Sequence, residues 1–165
     1  MLRRRVRFDT ARLVKQSTSG PCFICAFLEG KPDYEHVVVC QTDNAIAFLS
    51  RYPTLFGYVI VAPRAHREQV TGDFMESEYL ELQRFIFGVA EGVRRVLAPE
   101  RVYILSLGSQ AANAHVHWHI APLPRGIPLD QQQYRALMHE SGVVEVSDQE
   151  QLAYAAELRR ALESA

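Results

Sequence analysis

The residues most suited to chemistry are three histidines that alternate with apolar residues in the segment Asn113–Pro122. Side chains on a strand point alternately to its two faces, so a strand over 115–121 places His115, His117 and His119 on one face. The outer two histidines then stand about 13 Å apart, too far for one metal ion with ligand nitrogens at about 2 Å. This row of histidines must therefore do more than hold a single ion.

A neutral imidazole can attack phosphorus, and it titrates near physiological pH. A row of imidazoles thus offers a nucleophile flanked by hydrogen-bond donors for phosphate oxygens. The alternative is a surface strand with polar residues facing outward. That alternative suits one histidine, but it suits poorly three that alternate with Val116, Trp118 and Ile120, which can pack on a core.

A second pattern is the Cys-x-x-Cys pair of Cys22 and Cys25, whose spacing lets two thiolates reach one metal ion. A thioredoxin-like redox site would need a βαβ setting that the chain lacks, and a disulfide is disfavoured because no secretory signal is evident. Tetrahedral zinc would need two further ligands. The alternative is a pair of buried apolar thiols, and a core thiol is also what we expect of Cys40.

The segment His115–Ala121 resembles, at every position, the signature of the histidine triad (HIT) family, His-φ-His-φ-His-φ-φ with φ apolar. The Cys-x-x-Cys start, the strand Ala47–Ser50 (AFLS) and the segment Gly57–His66 (GYVIVAPRAH) are also similar to the family. The resemblance spans about residues 20–125. It implies an α+β, HIT-like fold: an antiparallel sheet of about five strands with one long helix and extra terminal helices.

The activity that the resemblance implies is nucleotidyl hydrolysis or transfer, with cleavage of a nucleoside α-phosphate linkage in a dinucleoside polyphosphate or a nucleoside phosphoramidate. The implied catalytic residues are the triad, His115, His117 and His119. His117 would form a covalent nucleotidyl-imidazole intermediate, and His119 would bind the phosphoryl oxygens. Since His117 must attack through one ring nitrogen, the other should donate to a fixed carbonyl. The resemblance also implies a homodimer.

HIT proteins that carry this cysteine pair resemble the chain in a histidine after the Pro-x-x strand end, which is His66 here, and they also use the first triad histidine. The implied cofactor is a structural zinc ion held by Cys22, Cys25, His66 and His115. Such a site would pin the N-terminal turn to the catalytic strand. A turn-capping role for His66 is the alternative.

By comparison with the family, six residues are expected at the substrate: Ile24, Phe27, Phe48, Ser50, Gln110 and Asn113. The three apolar ones could sandwich a base, although core packing accounts for them equally well. Ser50 offers ribose a single hydroxyl, where many family members have an acidic residue or asparagine. Ala112 stands where the family often has Ser or Thr, so Gln110 or Asn113 could supply an amide donor, although Asn113 also suits a turn. Arg125 either meets distal phosphates or is solvated.

The elements that must position these residues follow from hydrophobic periodicity. It predicts a short helix within 21–30, a hairpin of Val37–Gln41 and Ala45–Leu49, strands at Tyr58–Val61, Val102–Leu107 and His115–Ala121, and helices at 73–97, near 130–140 and near 148–163. Pro99 ends the long helix, Pro122 and Pro124 stop the last strand, and Ser147 is the expected N-cap of the final helix. Antiparallel strand pairs around one long helix indicate the α+β class.

Composition sets the outer limits. The 165 residues carry a formal net charge of −1 and are 48 % hydrophobic, which fits one soluble globular domain. Near-zero charge disfavours a nucleic-acid partner, and the lack of an apolar run near about 18 residues disfavours a membrane span. We expect a basic N-terminal arm (1–19), a HIT domain (20–125) and a C-terminal helical extension (126–165) packed on the same domain.

The N-terminal arm is expected to be solvated or to lie as an extra strand on a neighbour, or else to attract a polyanionic substrate. No targeting signal is evident, so we expect a cytoplasmic protein. Two other functions stay open beside the enzyme: a nucleotide-binding regulatory protein with little turnover, given Ser50 and Ala112, and a zinc-stabilised interaction module. An intact His117 favours the enzyme.

Overall fold

The structure is a computed structural model that describes residues 3–164. Its centre is a five-stranded antiparallel sheet in the order β2-β3-β4-β6-β5. The sheet strands are β2 (Val38–Gln41), β3 (Ala45–Leu49), β4 (Val59–Pro63), β5 (Arg101–Ser106) and β6 (Trp118–Leu123), and a separate pair is formed by β1 (Arg5–Val6) and β7 (Val143–Val144). The helices are α1 (Thr10–Ser19), α2 (Phe23–Leu28), α3 (Glu76–Leu97), α4 (Tyr134–Leu137) and α5 (Asp148–Glu163). The α+β prediction, with about five strands and one long helix, is confirmed.

Helix α3 covers one face of the sheet. Its apolar stripe buries Leu82, Ile86, Val89 and Val93 in the same core cluster as Trp118 of β6. The helix begins at Glu76 rather than near residue 73, because the Glu78 carboxylate accepts a hydrogen bond from the Met75 N–H at 2.9 Å and so caps the first turn. Its last residue is Leu97, and the C-cap residue Ala98 adopts the left-handed conformation directly before Pro99.

The predicted hairpin is formed by β2 and β3. The Thr42 N–H donates to the Ala45 carbonyl at 2.8 Å, and the Thr42 hydroxyl accepts from the Ala45 N–H at 3.0 Å. The paired strands place Phe48 opposite Val38 and Ala47 opposite Cys40, with an irregularity between these two positions. This register gives β3 a fully buried row that leads directly to Ser50.

The histidine strand is shorter at its start than the alternation predicts. The paired strand β6 begins at Trp118, not His115, because the preceding backbone bonds elsewhere: Val116 N–H donates to the Arg67 carbonyl at 2.6 Å, and the Ser106 hydroxyl donates to the His117 carbonyl at 2.7 Å. Strand β6 ends at Leu123, directly before Pro124, as predicted. Pro122 does not stop the strand, because it lies opposite Val102 of β5, beyond the last residue of β6 that pairs with β4.

The two chain ends meet on one side of the fold. Strand β1 pairs with β7, and Phe8 packs between Tyr52 and His139 at centroid distances of 4.9 and 5.1 Å. The segment near 130–140 holds only α4 between two short 3-10 turns, rather than one helix, because Gln133 adopts a left-handed φ of 54°. Helix α5 begins after Ser147, whose hydroxyl accepts from the Glu150 N–H, as predicted.

The division into an arm (1–19), a HIT domain (20–125) and an extension (126–165) stays a prediction, and Met1, Leu2 and Ala165 lie outside the described residues. Within the part of the chain that is described, no helix has both the length and the apolar character needed to cross a membrane.

Candidate active site and metal centre

Four residues from three parts of the chain form a Cys–His cluster. Cys22 caps α2 and Cys25 lies in its first turn, His66 follows β4, and His115 precedes β6. Their four ligand atoms lie within 4.8 Å of one another. The His115 Nδ1 is 3.5 Å from the Cys22 Sγ and 3.6 Å from the Cys25 Sγ, and the His66 Nδ1 is 3.3 Å from the Cys25 Sγ.

Both histidines of the cluster direct Nδ1 inward and bond outward through Nε2. The His115 Nε2 donates to the Pro63 carbonyl at 2.9 Å, and the His66 Nε2 lies 3.1 Å from a Glu68 carboxylate oxygen. Since a carbonyl oxygen can only accept, the His115 proton sits on Nε2 and leaves a lone pair on Nδ1. An outer acceptor of this kind orients a metal-ligating histidine.

The spacing of the cluster fits a tetrahedral ion. Sulfur and nitrogen ligands at about 2.3 and 2.1 Å from a tetrahedral centre are about 3.6 Å apart, close to the three observed sulfur–nitrogen distances. Burial and the neighbouring Cys22 thiol raise the pKa of Cys25 to about 11, so this thiol keeps its proton until a cation displaces it. The four residues could therefore hold a metal ion, as the family resemblance implied.

His117 is held in one tautomer. Its Nδ1 donates to the His115 carbonyl at 2.7 Å, which leaves the lone pair on Nε2. The side chain is 4 % exposed, and no residue of 3–164 bonds Nε2, which is not fully enclosed. Burial lowers the pKa of His117, while the His115 carbonyl opposes that shift, so the ring is neutral at physiological pH.

His119 is the second imidazole of the site, 4.7 Å from His117 between ring centroids. Its Nδ1 is buried and lacks a hydrogen-bond partner among the described residues. Burial lowers its pKa to about 3, and His117 and His139 add to the shift, whereas the Leu107 carbonyl opposes it. No hydrogen bond among the described residues fixes which His119 nitrogen carries the proton, so the ring can act as a donor when the proton is on Nε2.

An aromatic cluster adjoins His117 on the sheet face opposite α3. We use this name for Phe23, Phe27, His36 and Phe48. The Phe23 ring meets His117 edge-on, with centroids 5.6 Å apart. Three residues were predicted to contact a base. Ile24 and the cluster member Phe48 are fully buried in the apolar core, and the cluster member Phe27 is half-buried.

Sequence reasoning missed two members of the aromatic cluster. Phe23 lies between the predicted residues Cys22 and Ile24, and its place on a helix beside the cysteine pair was the available signal. His36 belongs to no motif, and only the folded chain places its ring 4.7 Å from Phe48.

The predicted polar substrate residues differ in their surroundings. The Ser50 N–H donates to the Tyr58 carbonyl at 3.0 Å, and its hydroxyl bonds no residue of 3–164. Gln110 is exposed in a tight turn closed by backbone bonds between Ser109 and Ala112. Asn113 has a left-handed φ of 55°, which asparagine tolerates, in line with a turn role. The Arg125 Nε bonds the Ala98 carbonyl at 3.3 Å.

Known proteins are similar to part of this chain in sequence. The HIT domain family model matches residues 31–125. An adenosine 5'-monophosphoramidase of Schizosaccharomyces pombe is 28 % identical over 106 residues, which cover 62 % of this chain and 74 % of that protein.

Two solved structures show the same fold. A hypothetical histidine triad nucleotide-binding protein of Sulfolobus tokodaii matches with a TM-score of 0.69 at 20 % identity, covering 87 % of this chain and 93 % of that one. A zinc-bound histidine triad family protein of Mycobacterium smegmatis matches with a TM-score of 0.64 at 21 % identity, covering 87 % and 94 %. With its complete His-φ-His-φ-His-φ-φ segment inside the matched region, this chain belongs to the histidine triad family.

Proposed function

We propose that this protein is a nucleotidyl hydrolase or transferase that cleaves a nucleoside α-phosphate linkage through a covalent intermediate on His117. The substrate class is a dinucleoside polyphosphate or a nucleoside phosphoramidate. The observation that carries the proposal is the hydrogen bond from the His117 Nδ1 to the His115 carbonyl, which leaves Nε2 with a free lone pair. The phosphoramidase activity named for the yeast relative supports the reaction class.

In the first step the His117 Nε2 attacks the α-phosphorus. A nitrogen–phosphorus bond forms, and the bond from phosphorus to the leaving group breaks with its electron pair going to that group. From a dinucleoside polyphosphate, the remaining nucleoside polyphosphate leaves as an anion. From a phosphoramidate, the amine leaves after taking a proton from water. In the second step water attacks phosphorus and loses a proton to solvent, and the pair of the breaking nitrogen–phosphorus bond returns to Nε2.

His119 and the His115 carbonyl stabilise these steps. The His119 Nε2–H donates to a phosphoryl oxygen as negative charge spreads over the phosphorus centre. The His115 carbonyl accepts from the His117 Nδ1–H throughout. The positive charge of the nucleotidylated imidazolium therefore faces the negative end of that carbonyl dipole. His115 itself contributes its carbonyl while its ring faces the cysteines.

The nucleoside is proposed to lie against the aromatic cluster. Phe27 presents a partly exposed face to a base, while Ile24 and Phe48 support that face from below. The unpaired Ser50 hydroxyl suits a sugar hydroxyl, and Gln110 and Asn113 are proposed to contact the leaving group through their amides.

The test combines product analysis and intact mass. We expect the wild type to release AMP from diadenosine tetraphosphate or adenosine phosphoramidate, and acid quenching to trap a protein heavier by one nucleotidyl group. His117→Ala should give neither signal while keeping the wild-type unfolding midpoint and metal content. Equal traces from both proteins would refute the covalent mechanism.

A second candidate is a nucleotide-binding regulatory protein with little turnover. The observation in its favour is that Ser50 and Ala112 leave this site with fewer polar groups than a catalytic site of this kind often has. Tight binding of AMP without any AMP release from the donors would support this candidate over the enzyme.

We also propose that the ion of the Cys–His cluster is zinc, held by Cys22, Cys25, His66 and His115. Two thiolates and two imidazoles at tetrahedral spacing are a typical closed zinc donor set. The ion would supply structure, because it ties α2 to the residue whose carbonyl orients His117. Two thiolate ligands also support our proposal of a reducing compartment such as the cytoplasm.

We further propose a homodimer that pairs the outer strand β5. Ile104 and Leu107, on and just after this strand, are 49 % and 58 % exposed, and an exposed strand edge with apolar side chains favours pairing with a second chain.

A further inference from the structure

His36 is a polar side chain embedded in the aromatic cluster. Its ring centroid lies 4.7 Å from Phe48, 5.1 Å from Phe27 and 6.1 Å from Phe23. Phe23 in turn meets the ring of His117. The His36 ring is therefore one aromatic side chain away from the proposed nucleophile.

The proton of His36 is placed by a backbone carbonyl. Its Nδ1 lies 3.3 Å from the Leu49 oxygen, which can only accept, so Nδ1 carries the proton. The neutral ring then presents Nε2 as a hydrogen-bond acceptor, and no residue between 3 and 164 bonds that atom. The side chain is partly exposed, so this acceptor is not sealed in the core.

The ring stays neutral in the folded protein. Burial lowers the pKa of His36 to about 4, and the nearby Arg51 adds to the shift, whereas the Leu49 carbonyl opposes it. At neutral pH Nε2 is thus an acceptor and not a donor. Leu49 is also the residue before Ser50, so the His36 ring and the Ser50 hydroxyl belong to the same end of β3.

We propose that the His36 Nε2 accepts a hydrogen bond from the nucleoside part of the substrate and so determines nucleoside specificity. The inference rests on the proposed function, because it assigns a selecting group to that same site. The partly exposed rings of Phe23 and Phe27 can pack against any base but cannot distinguish its substituents. An acceptor among them selects a donor, either a ribose hydroxyl or an exocyclic amino group of the base.

The experiment measures binding of four probes to the metal-loaded protein by calorimetry: AMP, 2'-deoxy-AMP, 3'-deoxy-AMP and IMP, which lacks the amino group. We expect the wild type to bind at least one analogue roughly ten- to a hundred-fold more weakly than AMP, as for a lost hydrogen bond that leaves an acceptor unpaired. The deoxy probes and IMP separate a sugar donor from a base donor.

Three variants separate recognition from packing. His36→Phe keeps a ring against Phe48 but removes the acceptor, so the preference for AMP over that analogue should fall to nearly one. His36→Gln can place a carbonyl oxygen near the Nε2 position and should restore part of the preference. Val39→Ala, a buried change in strand β2, which follows His36, but on the sheet face toward α3, should leave the ratio unchanged.

The outcomes are distinct. A preference that survives in His36→Phe, or equal weakening of all four probes, overturns the role of His36 even when AMP release still depends on His117. If the wild type binds none of the probes and releases no AMP, both the inference and the proposed function fail.

Discussion

Backbone carbonyls decide which nitrogen each key imidazole offers. His117 and His36 both donate through Nδ1, to the carbonyls of His115 and Leu49, whereas His115 donates through Nε2, to Pro63. The same side chain therefore serves as a proposed nucleophile, a proposed acceptor or a metal-facing ligand according to which carbonyl lies beside it. At the scale of the residue, the proposed role of each histidine depends on which ring nitrogen its carbonyl partner engages, and not only on the residue being a histidine.

Two cysteines of similar exposure should behave differently toward metal. Cys25→Ser should lose the proposed zinc ion and lower the unfolding midpoint, because one of the four proposed ligands disappears and structural zinc contributes directly to folding. Cys40→Ser should keep a full metal equivalent, because this thiol packs on the main core cluster and is not part of the Cys–His cluster. Metal analysis of the purified variants and thermal unfolding check both; equal metal content in the two would contradict the assigned ligand set.

At the scale of the element, α5 packs against α3 through a position without a side chain. A Cβ at Gly92 would lie 2.8 Å from a Leu162 methyl carbon and 2.9 Å from one of Leu158, which is fully buried and cannot swing aside. Gly88, one turn earlier, has nothing within 4 Å of such a Cβ. Helix α3 therefore carries one glycine that the packing requires and one that it does not.

This contrast gives a matched pair of substitutions. Gly88→Ala should stabilise the fold by up to about 1 kcal/mol, from helix propensity alone. Gly92→Ala gains the same propensity but must push α5 outward, which costs about 1–3 kcal/mol, so it should be neutral or destabilising. Urea unfolding of both variants measures the difference, and equal stabilisation by the two would show that α5 does not pack as closely as the structure has it.

The start of α5 is held by a charge. Bonds from Ser147 and from Arg3, whose guanidinium lies 2.6 Å away, lower the pKa of Glu150 from 4.5 to about 2. A carboxylate with a lowered pKa stabilises the fold above its unfolded pKa and loses that contribution as pH falls through the folded value.

Glu150→Gln keeps the side-chain shape and removes the charge. The variant should be less stable than the wild type at pH 7, and the gap should narrow as the pH falls from about 4.5 to about 2. Unfolding by urea at several pH values, with both proteins free of metal, measures the gap. A gap independent of pH would mean that the ionisation of Glu150 does not account for the difference in stability.

At the scale of the whole molecule, residues of the N-terminal and C-terminal regions pack against the loop that follows β3. The Val144 N–H donates to the Pro53 carbonyl at 2.7 Å, the His139 Nε2 bonds the Tyr52 carbonyl at 3.1 Å, and Phe8 packs on both rings. This loop carries Ser50 at one end and leads into Tyr58, which packs edge-on against His119. The segments outside the matched family region thus support the rim of the site.

The proposed homodimer makes a prediction at this scale. Ile104→Lys places a charge on the outer strand β5 and should convert the dimer to a monomer, because burying an unpaired charge at the interface is costly. Leu129→Lys, at a 77 % exposed residue in a short turn, should leave the mass unchanged. Light scattering after size exclusion distinguishes them, and a monomeric wild type would refute the proposal.

Patterns that are local in the chain were predictable from the sequence. The β2–β3 hairpin, the apolar stripe of α3, the N-cap at Ser147 and the histidine row depend on neighbours a few residues apart, where periodicity and turn chemistry act directly. The first and last residues of strands were less predictable. The start of β6, for example, depends on hydrogen bonds that Val116 and His117 make to other parts of the chain.

Tertiary structure alone decided how distant residues meet. The spacing of Cys22 and Cys25 indicated two ligands, whereas His66 and His115 were indicated only through a family resemblance. The fold brings the four ligand atoms within 4.8 Å of one another, so that they could hold one ion. It also placed His36 among the aromatic rings and turned its free nitrogen into an acceptor. No local pattern encodes such contacts, because the distance between residues far apart in the chain is set by how sheet and helices pack.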